Sequence, residues 1–466
     1  MNARRLLSCF HHSSFTIDHS ARRSSFIVHR SPFAVHRSSF IVHRSSFVVH
    51  RSAFSVPSAA RALPAGVQDV GRLGGLRISG IILVAAWPLA TMILSIAAWS
   101  VGSWLAEPAL LLGLFSTTPF IIYRARQERL PWQTLIVISD DWQFWALFAT
   151  WIAGALLSTT MVEAVMYTVL TGAVFVIAGA HSALATPGEM RLGLGLFSAA
   201  GTALLFAISL LNRTTGRELA GIGLNPNAFG FFAMTCGSFA FCLRRLALRA
   251  AIVACAIFCI MAVSSRASLL GLALAAAFHV LIGHTVRSVI QRVIILSAVL
   301  AMVFLLFEPV GDVIRNMLAL DDPYRGIGSG FTGRTAVWAE IWELFEKNPV
   351  LGIGFRCHQI ISGEDANNGY VAYMAETGVL GGAAALVLIV TALVRSWHKR
   401  RKHLVHGVLL TAAIGYLAHS VFERFIFNAG NPGSLLFILW IVYSITDRRR
   451  HGILAAGADM QDIDWL

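Results

Sequence analysis

Apolar runs separated by short polar segments fill the chain from Arg77 to Thr446. Twelve of them are free of Asp, Glu, Lys and Arg apart from approximate ends: about 78–98, 105–123, 142–160, 163–183, 192–211, 226–243, 248–263, 267–284, 291–309, 372–394, 404–422 and 432–446. Crossing the hydrocarbon core as a helix takes roughly 20 apolar residues, so the shorter runs have loosely placed ends. Lipid offers the backbone no hydrogen-bond partners, which favours helices, and the alternation of a membrane barrel is missing. The pattern predicts an all-α polytopic membrane protein with about 12 transmembrane helices.

The loops between the runs alternate in charge. With the N-terminus inside, the short inside loops and the C-terminal tail hold seventeen Lys and Arg, from Arg124 to Arg450, against nine outside. Most of those nine fall in two long loops, where charge has little influence on orientation. Both termini are therefore expected in the cytoplasm. Residues 310–371, between spans 9 and 10, then form a long outer loop. Within it, Gly333 to Asn348 (GRTAVWAEIWELFEKN) reads as an amphipathic helix, with Val337, Trp338, Ile341, Trp342 and Phe345 in one apolar sector. Such a helix lies on the bilayer or covers the bundle.

Composition agrees. The 466 residues are 56% hydrophobic and 13% charged, with a net charge of +13; soluble domains carry about 25% charged residues. Disordered chains and ordinary soluble domains are excluded. The six cysteines show neither a disulfide framework nor metal spacing.

Residues 1–66 differ from the rest. From Arg23 they repeat every seven residues (RSSFIVH, RSPFAVH, RSSFIVH, RSSFVVH, RSAFSVP) and hold nine Arg against one acid, Asp18. The copies lack the a/d pattern of a coiled coil. As a strand, an odd period turns each Phe to the opposite face in the next copy. The segment is expected to be a disordered basic tail or a mis-assigned start, a translated tandem DNA repeat, with the native start between Pro57 and Ile78. A basic tail with interleaved aromatics also fits an anionic-lipid or nucleic-acid binder, but the near-identity of the copies favours the tandem repeat, so no nucleic-acid partner is expected. Residues 67–466 are the transmembrane domain.

Ionisable groups at the outer boundary are the candidate chemistry, because charge at membrane depth is costly. Arg266, in SSRASLL, is either an interfacial arginine snorkelling to lipid phosphate or a guanidinium aimed into an outward cavity. Arg334 stands at the start of the loop helix, where free amides and a guanidinium together suit an anion. Arg217 precedes GLNPNAFG, whose Asn225 or Asn227 caps span six. Before span ten, Glu364, Asp365, Glu376 and His358 are acids and a histidine that a raised or matched pKa would make general bases; solvated loop acids are the plainer reading. No phosphate-binding Gly-rich loop, zinc spacing or serine elbow appears, so neither metal nor cofactor is expected.

Taken in order, NPNAFG, SSRASLL, TGRTAVWAEIWELFEKNPVLGIGF and NNGYVAYMAETGVLGG resemble the O-antigen ligase/polymerase superfamily over roughly Val137 to Thr446. The resemblance implies a bacterial inner-membrane glycosyltransferase with a periplasmic site. It would move a glycan from an undecaprenyl-pyrophosphate carrier to a glycan or lipid acceptor, with membrane lipids as its other partners and no metal. It gives Arg266, Arg334 and Arg217 the donor pyrophosphate. The family's base is a histidine in a His-Asn pair, and the matching pair here is Asn367-Asn368. Asn367, an amide, is no proton acceptor at neutral pH. Either Glu364, Asp365 or His358 replaces it, or the chain is a polymerase-type enzyme that positions more than it abstracts, or an inactive relative. A twelve-span transporter or flippase is the rival from another class, disfavoured by the absence of a repeated half.

Overall fold

The computed structural model describes residues 72–73, 76–101, 112–113, 115–127, 141–211, 214–215, 218–219, 225–282, 334–401, 403–428 and 432–454. All belong to the unit Gly71–Leu466. The heptapeptide repeat, Arg217 and residues 283–333 lie outside them. The helices are α1 (Ile78–Val101), α2 (Thr118–Gln127), α3 (Trp142–Leu157), α4 (Met161–Leu184), α5 (Pro187–Leu211), α6 (Pro226–Phe239), α7 (Leu246–Ala262), α8 (Arg266–Ile282), α9 (Arg334–Lys347), α10 (His358–Ser362), α11 (Gly369–Lys399), α12 (Leu404–His419) and α13 (Pro432–Leu454). Two ribbons of two-residue strands, Arg72–Leu73 with Leu76–Arg77 and Thr214–Thr215 with Glu218–Leu219, are the strands among the described residues. Four helices, α1, α4, α5 and α11, contain stretches long and apolar enough to cross a membrane, and α3, α7, α8, α12 and the first part of α13 are shorter apolar helices. The protein is a polytopic helical membrane protein. Run 291–309 lies outside the described residues, so the count of twelve stays an expectation.

Local chemistry sets the helix starts. Thr186 and Glu189 form a reciprocal capping box: the Glu189 N–H donates to Thr186 Oγ1 (3.3 Å), and Glu189 Oε2 accepts from the Thr186 N–H (2.9 Å). Pro187 occupies the first helical position, where no N–H is needed. α6 is buried continuously from Phe229 to Phe239, as expected of a helix that is apolar all round. Small residues let backbones approach: a Cβ on Gly415 of α12 would lie 2.7 Å from the Gly271 carbonyl oxygen of α8.

Basic residues gather at one end of the bundle. Arg191 Nε donates to the Cys242 carbonyl (3.0 Å), Arg249 Nη2 to that of Leu243 (2.5 Å), and Arg395 lies 3.8 Å from Asp141. Arg124, expected in a loop, is instead in α2. Its side chain is 3% exposed and pairs with Glu189 at 2.8 Å. A side chain on Gly80 would collide with that guanidinium, so the glycine makes the room. The opposite end carries Arg266, α9, α10 and the 420–428 connection, and is called the site end below.

α11 is interrupted. Gly378 has φ 63 and ψ −169, a conformation essentially reserved to glycine. The backbone groups freed by the break are taken up by the segment after α9. Ile353 and Gly354 N–H groups donate to the carbonyls of Ala375 and Glu376 (3.0 and 3.1 Å), while Val379 and Leu380 N–H groups donate to Pro349 and Val350 (2.8 and 3.2 Å). Irregular backbone is tolerated at membrane depth only where protein satisfies it in this way. α9 covers the first turns of α11 by packing Ile341, Val337 and Leu344 against Ala366, Ala372 and Ala375. Of the two roles expected for the amphipathic helix, this is the covering one.

Candidate functional site

The site is assembled on the connection between α12 and α13. Its anchor is mutual: Ser420 O accepts from the Gly369 N–H at 2.7 Å, and Tyr370 Oη donates to Leu417 O at 2.8 Å. On one side stands Glu423, with an 8% exposed side chain. Its Oε1 accepts from Asn227 Nδ2 (2.6 Å) and Arg334 Nη2 (3.3 Å). Arg334 Nη1 also donates to the Phe422 carbonyl (2.6 Å). Glu423 Oε2 has no such partner among the described residues. Burial pushes the Glu423 carboxyl up to about 7, against the opposing pull of Arg334.

Asn227 reaches Glu423 because Asn225 and Pro226 fix the start of α6. Asn225 Oδ1 accepts from the Asn227 N–H at 2.8 Å, the cap expected of this motif. The Asn227 side chain is thereby free to leave the helix end, a role the sequence reading did not assign. Arg266, the first residue of α8, is half-buried. Its turn is fixed by a chain of polar contacts, Ser265 Oγ to Ser268 Oγ (2.8 Å) and Ser268 Oγ to His419 Nε2 (3.2 Å). His419 ends α12, within electrostatic reach of Arg334. Arg266 and Arg334 thus start two helices bound to the same connection.

On the other side of that connection stands Arg424, paired through Nη2 with Glu376 Oε1. The same carboxylate oxygen accepts from His358 Nδ1 at 2.7 Å. His358 Nε2 accepts from the Ala366 N–H at 3.3 Å, which fixes the neutral tautomer with its proton on Nδ1. Burial, and secondarily Arg424, hold the His358 ring down at about 2. The side chain is fully buried and both ring nitrogens are occupied.

The remaining candidates lie in the turn before α11. Glu364 and Asp365 are exposed. Asp365 Oδ1 lies 4.0 Å from His358 Nε2 and accepts from the Asn367 N–H at 3.2 Å. Asn367 has φ 45, and its Nδ2 donates to the Asp365 carbonyl at 3.0 Å; asparagine is among the residues that tolerate this left-handed conformation. Asn368 caps α11, its Oδ1 accepting from Tyr370 and Val371 N–H groups at 3.0 and 3.1 Å. Arg217 is outside the described residues.

The structure therefore brings Arg334, His358 and Asp365 into one neighbourhood and adds Glu423, Arg424, Asn227 and Glu376 to it. Glu364 points to solvent. A signal for Glu423 and Arg424 existed: an acid and a base in a short connection between two apolar runs meet the criterion that singled out Arg266. Residues 251–386 match the family model described as O-antigen ligase. The chain belongs to the O-antigen ligase superfamily. The matched segment runs from α7 into α11 and contains Arg266, Arg334, His358, Asp365, Asn367 and Glu376. Glu423, Arg424 and Asn227 of this superfamily member lie beyond it. No curated protein matches the chain.

Proposed function

We propose that the chain transfers or polymerises a glycan from an undecaprenyl-pyrophosphate carrier onto a hydroxyl acceptor at the periplasmic face of a bacterial inner membrane, without a metal. The observation that carries this reading is Glu423, a carboxylate with one oxygen fixed by Asn227 and Arg334 and the other unbonded. Arg334, with Arg266 and Arg217, draws the donor pyrophosphate to the site end and stabilises charge on the departing phosphate. Glu423 accepts the acceptor hydroxyl proton. The hydroxyl oxygen forms a bond to the anomeric carbon, the bond from that carbon to the pyrophosphate oxygen breaks, and the electron pair leaves with the carrier. Attack opposite the leaving group inverts the anomeric centre.

In this reading Glu423 does the work that Asn367 is unable to do. His358 is a positioning group: it orients Glu376, which in turn holds Arg424. Asp365 and Glu364 line the approach. A transporter fits less well, because carbonyls exposed by broken transporter helices hold ions, whereas Ala375 O and Glu376 O are already bonded to Ile353 and Gly354.

The topology belongs to the same proposal: about twelve spans, both termini cytoplasmic, the basic end inside and residues 310–371 outside. Labelling of single cysteines at positions 340 and 401 of whole cells with an impermeant maleimide tests it. Position 340 should react and position 401 should not; the reverse pattern inverts the topology. The transferase is tested by Arg334→Gln and Glu423→Gln in the full chain, assayed with a lipid-linked glycan donor. Both should lose transfer while still folding, and wild-type rates in both would sink the proposal.

A further inference from the structure

Beside the Glu423 half of the site stand two guanidinium groups that this mechanism does not use. Arg356 leaves the segment that patches the α11 break, with φ 68. Its guanidinium carbon lies 5.8 Å from the centre of the Tyr167 ring. Its Nη1 is sealed from solvent without a hydrogen-bond partner, and so is Nε of Arg424. The Arg424 side chain is 8% exposed. Its Nη2 is on Glu376, a carboxylate already shared with His358. Arginine stays charged in proteins, so this pocket sets two cations against one buried carboxylate, with Asp365 at its rim. Burial and the neighbouring Arg356 pull Arg424 well below the usual guanidinium range, and burial does the same to Arg356. An arrangement this uncomfortable when empty is relieved by an anion with several acceptor oxygens.

We infer that Arg356 and Arg424 form a second phosphate subsite, on the far side of Glu423 from Arg334, which binds a phosphate carried by the lipid-linked acceptor. This rests on the transferase reading. Glu423 and Arg424 are consecutive, so their two sets of contacts, Arg334 and Asn227 on one and Glu376 on the other, place the base between the two subsites. A phosphate suits the pocket because two guanidinium forks meet its oxygens from two sides with charge-assisted hydrogen bonds. Two sources supply that chemistry. A second polyprenyl-pyrophosphate glycan would make the chain a polymerase, and a phosphorylated glycolipid would make it a ligase.

The test uses the full chain in neutral phosphatidylcholine nanodiscs, titrated separately with undecaprenyl pyrophosphate and with bisphosphorylated lipid A. Wild type should show a site for one of the probes that Arg356→Gln weakens about ten- to hundredfold and Arg334→Gln leaves in place. The probe concerned identifies the acceptor class. Arg356→Gln should melt no lower than wild type when no probe is present, because it removes unpartnered donors. If it weakens neither probe, or melts several degrees lower, the subsite is overturned and Arg356 is structural. In turnover, the acceptor KM should rise with the donor KM unchanged. A wild type that binds both probes yet transfers nothing overturns the transferase reading alone and leaves the subsite standing.

Discussion

Replacing Glu423 by glutamine separates a base from a structural carboxylate. Glutamine keeps an Oε1 that accepts from Asn227 and Arg334, and it exchanges the unbonded Oε2 for an NH2 group that takes no proton. The local geometry is retained and only proton acceptance is removed. Loss of a positioned general base lowers the rate by about 10²- to 10⁴-fold, or roughly 3 to 5 kcal/mol of barrier. With the carboxyl at about 7, wild-type kcat/KM should rise about tenfold per pH unit below that value and level off above it. The variant should lack this limb.

Stability provides the control. The folded carboxyl holds its proton up to about 7, whereas the model value is 4.5. Here the folded pKa is raised, so the group's stabilising effect is complete below 4.5 and is lost as pH rises through 7. Glutamine escapes that loss, and at alkaline pH the variant should equal or exceed wild type, by at most about 3 kcal/mol. Initial transfer rates in nanodiscs from about pH 5.5 to about 8.5, with melting curves alongside, give both readouts. A variant within about threefold of wild type, or one that keeps the same acid limb, would falsify the assignment of Glu423 as base.

Three further perturbations probe the scaffold and the substituted position. Gly378→Ala puts a Cβ against the Val350 carbonyl at a backbone angle foreign to alanine, and it threatens four hydrogen bonds worth about 1 kcal/mol each; protease sensitivity within 349–368 should increase, and an unchanged digest would contradict the docking. Asn367→His fits the same φ, since histidine also tolerates the left-handed region; transfer should rise with a new pH limb near 6.5, and no change in rate would show that this side chain does not face the acceptor. Arg124→Leu leaves Glu189 buried without its cation and should cost about 3 to 5 kcal/mol, much of it regained in Arg124→Leu/Glu189→Gln; equal melting temperatures for the single and double variants would show that the pair is not coupled.

His358 adds a pH dependence of opposite sign. Its folded pKa of about 2 lies below the model value of 6.5, so the stability it contributes is full above 6.5 and declines as pH falls toward 2. His358→Gln should flatten the loss of stability on acidification by up to one proton, about 1.4 kcal/mol per pH unit. Identical acid titrations of variant and wild type would place the histidine in solvent.

Much of the membrane architecture was legible because it rests on a one-dimensional signal. The apolar runs at 163–183 and 192–211 lie within α4 and α5, and Asn225-Pro226 started α6 where the cap chemistry said it should. What composition along the chain does not encode is pairing at a distance. Run 372–394 reads as one uninterrupted helix because Gly378 differs from other span glycines only in its partner, a segment some 25 residues earlier. Arg124 looks like loop charge until Glu189 and Gly80 enclose it. Glu423 and Arg424 look like one more boundary pair, and their neighbours come from α6, α9 and α11.

Those distances in sequence explain why the site hangs on so short a connection. Residues 420–428 carry no long element of their own, yet Ser420 ties them to α11, Phe422 and Glu423 to α9, Glu423 to α6, and Arg424 back to α11. Adjacent side chains on an extended backbone diverge, so one peptide unit serves two clusters of opposite make-up: a carboxylate among donors on one side, guanidinium groups in excess on the other. The base position and the anion position are then set by the same backbone. A substitution that shifts this connection should disturb both together, whereas one in α9 or in the 349–358 segment should disturb only its own side.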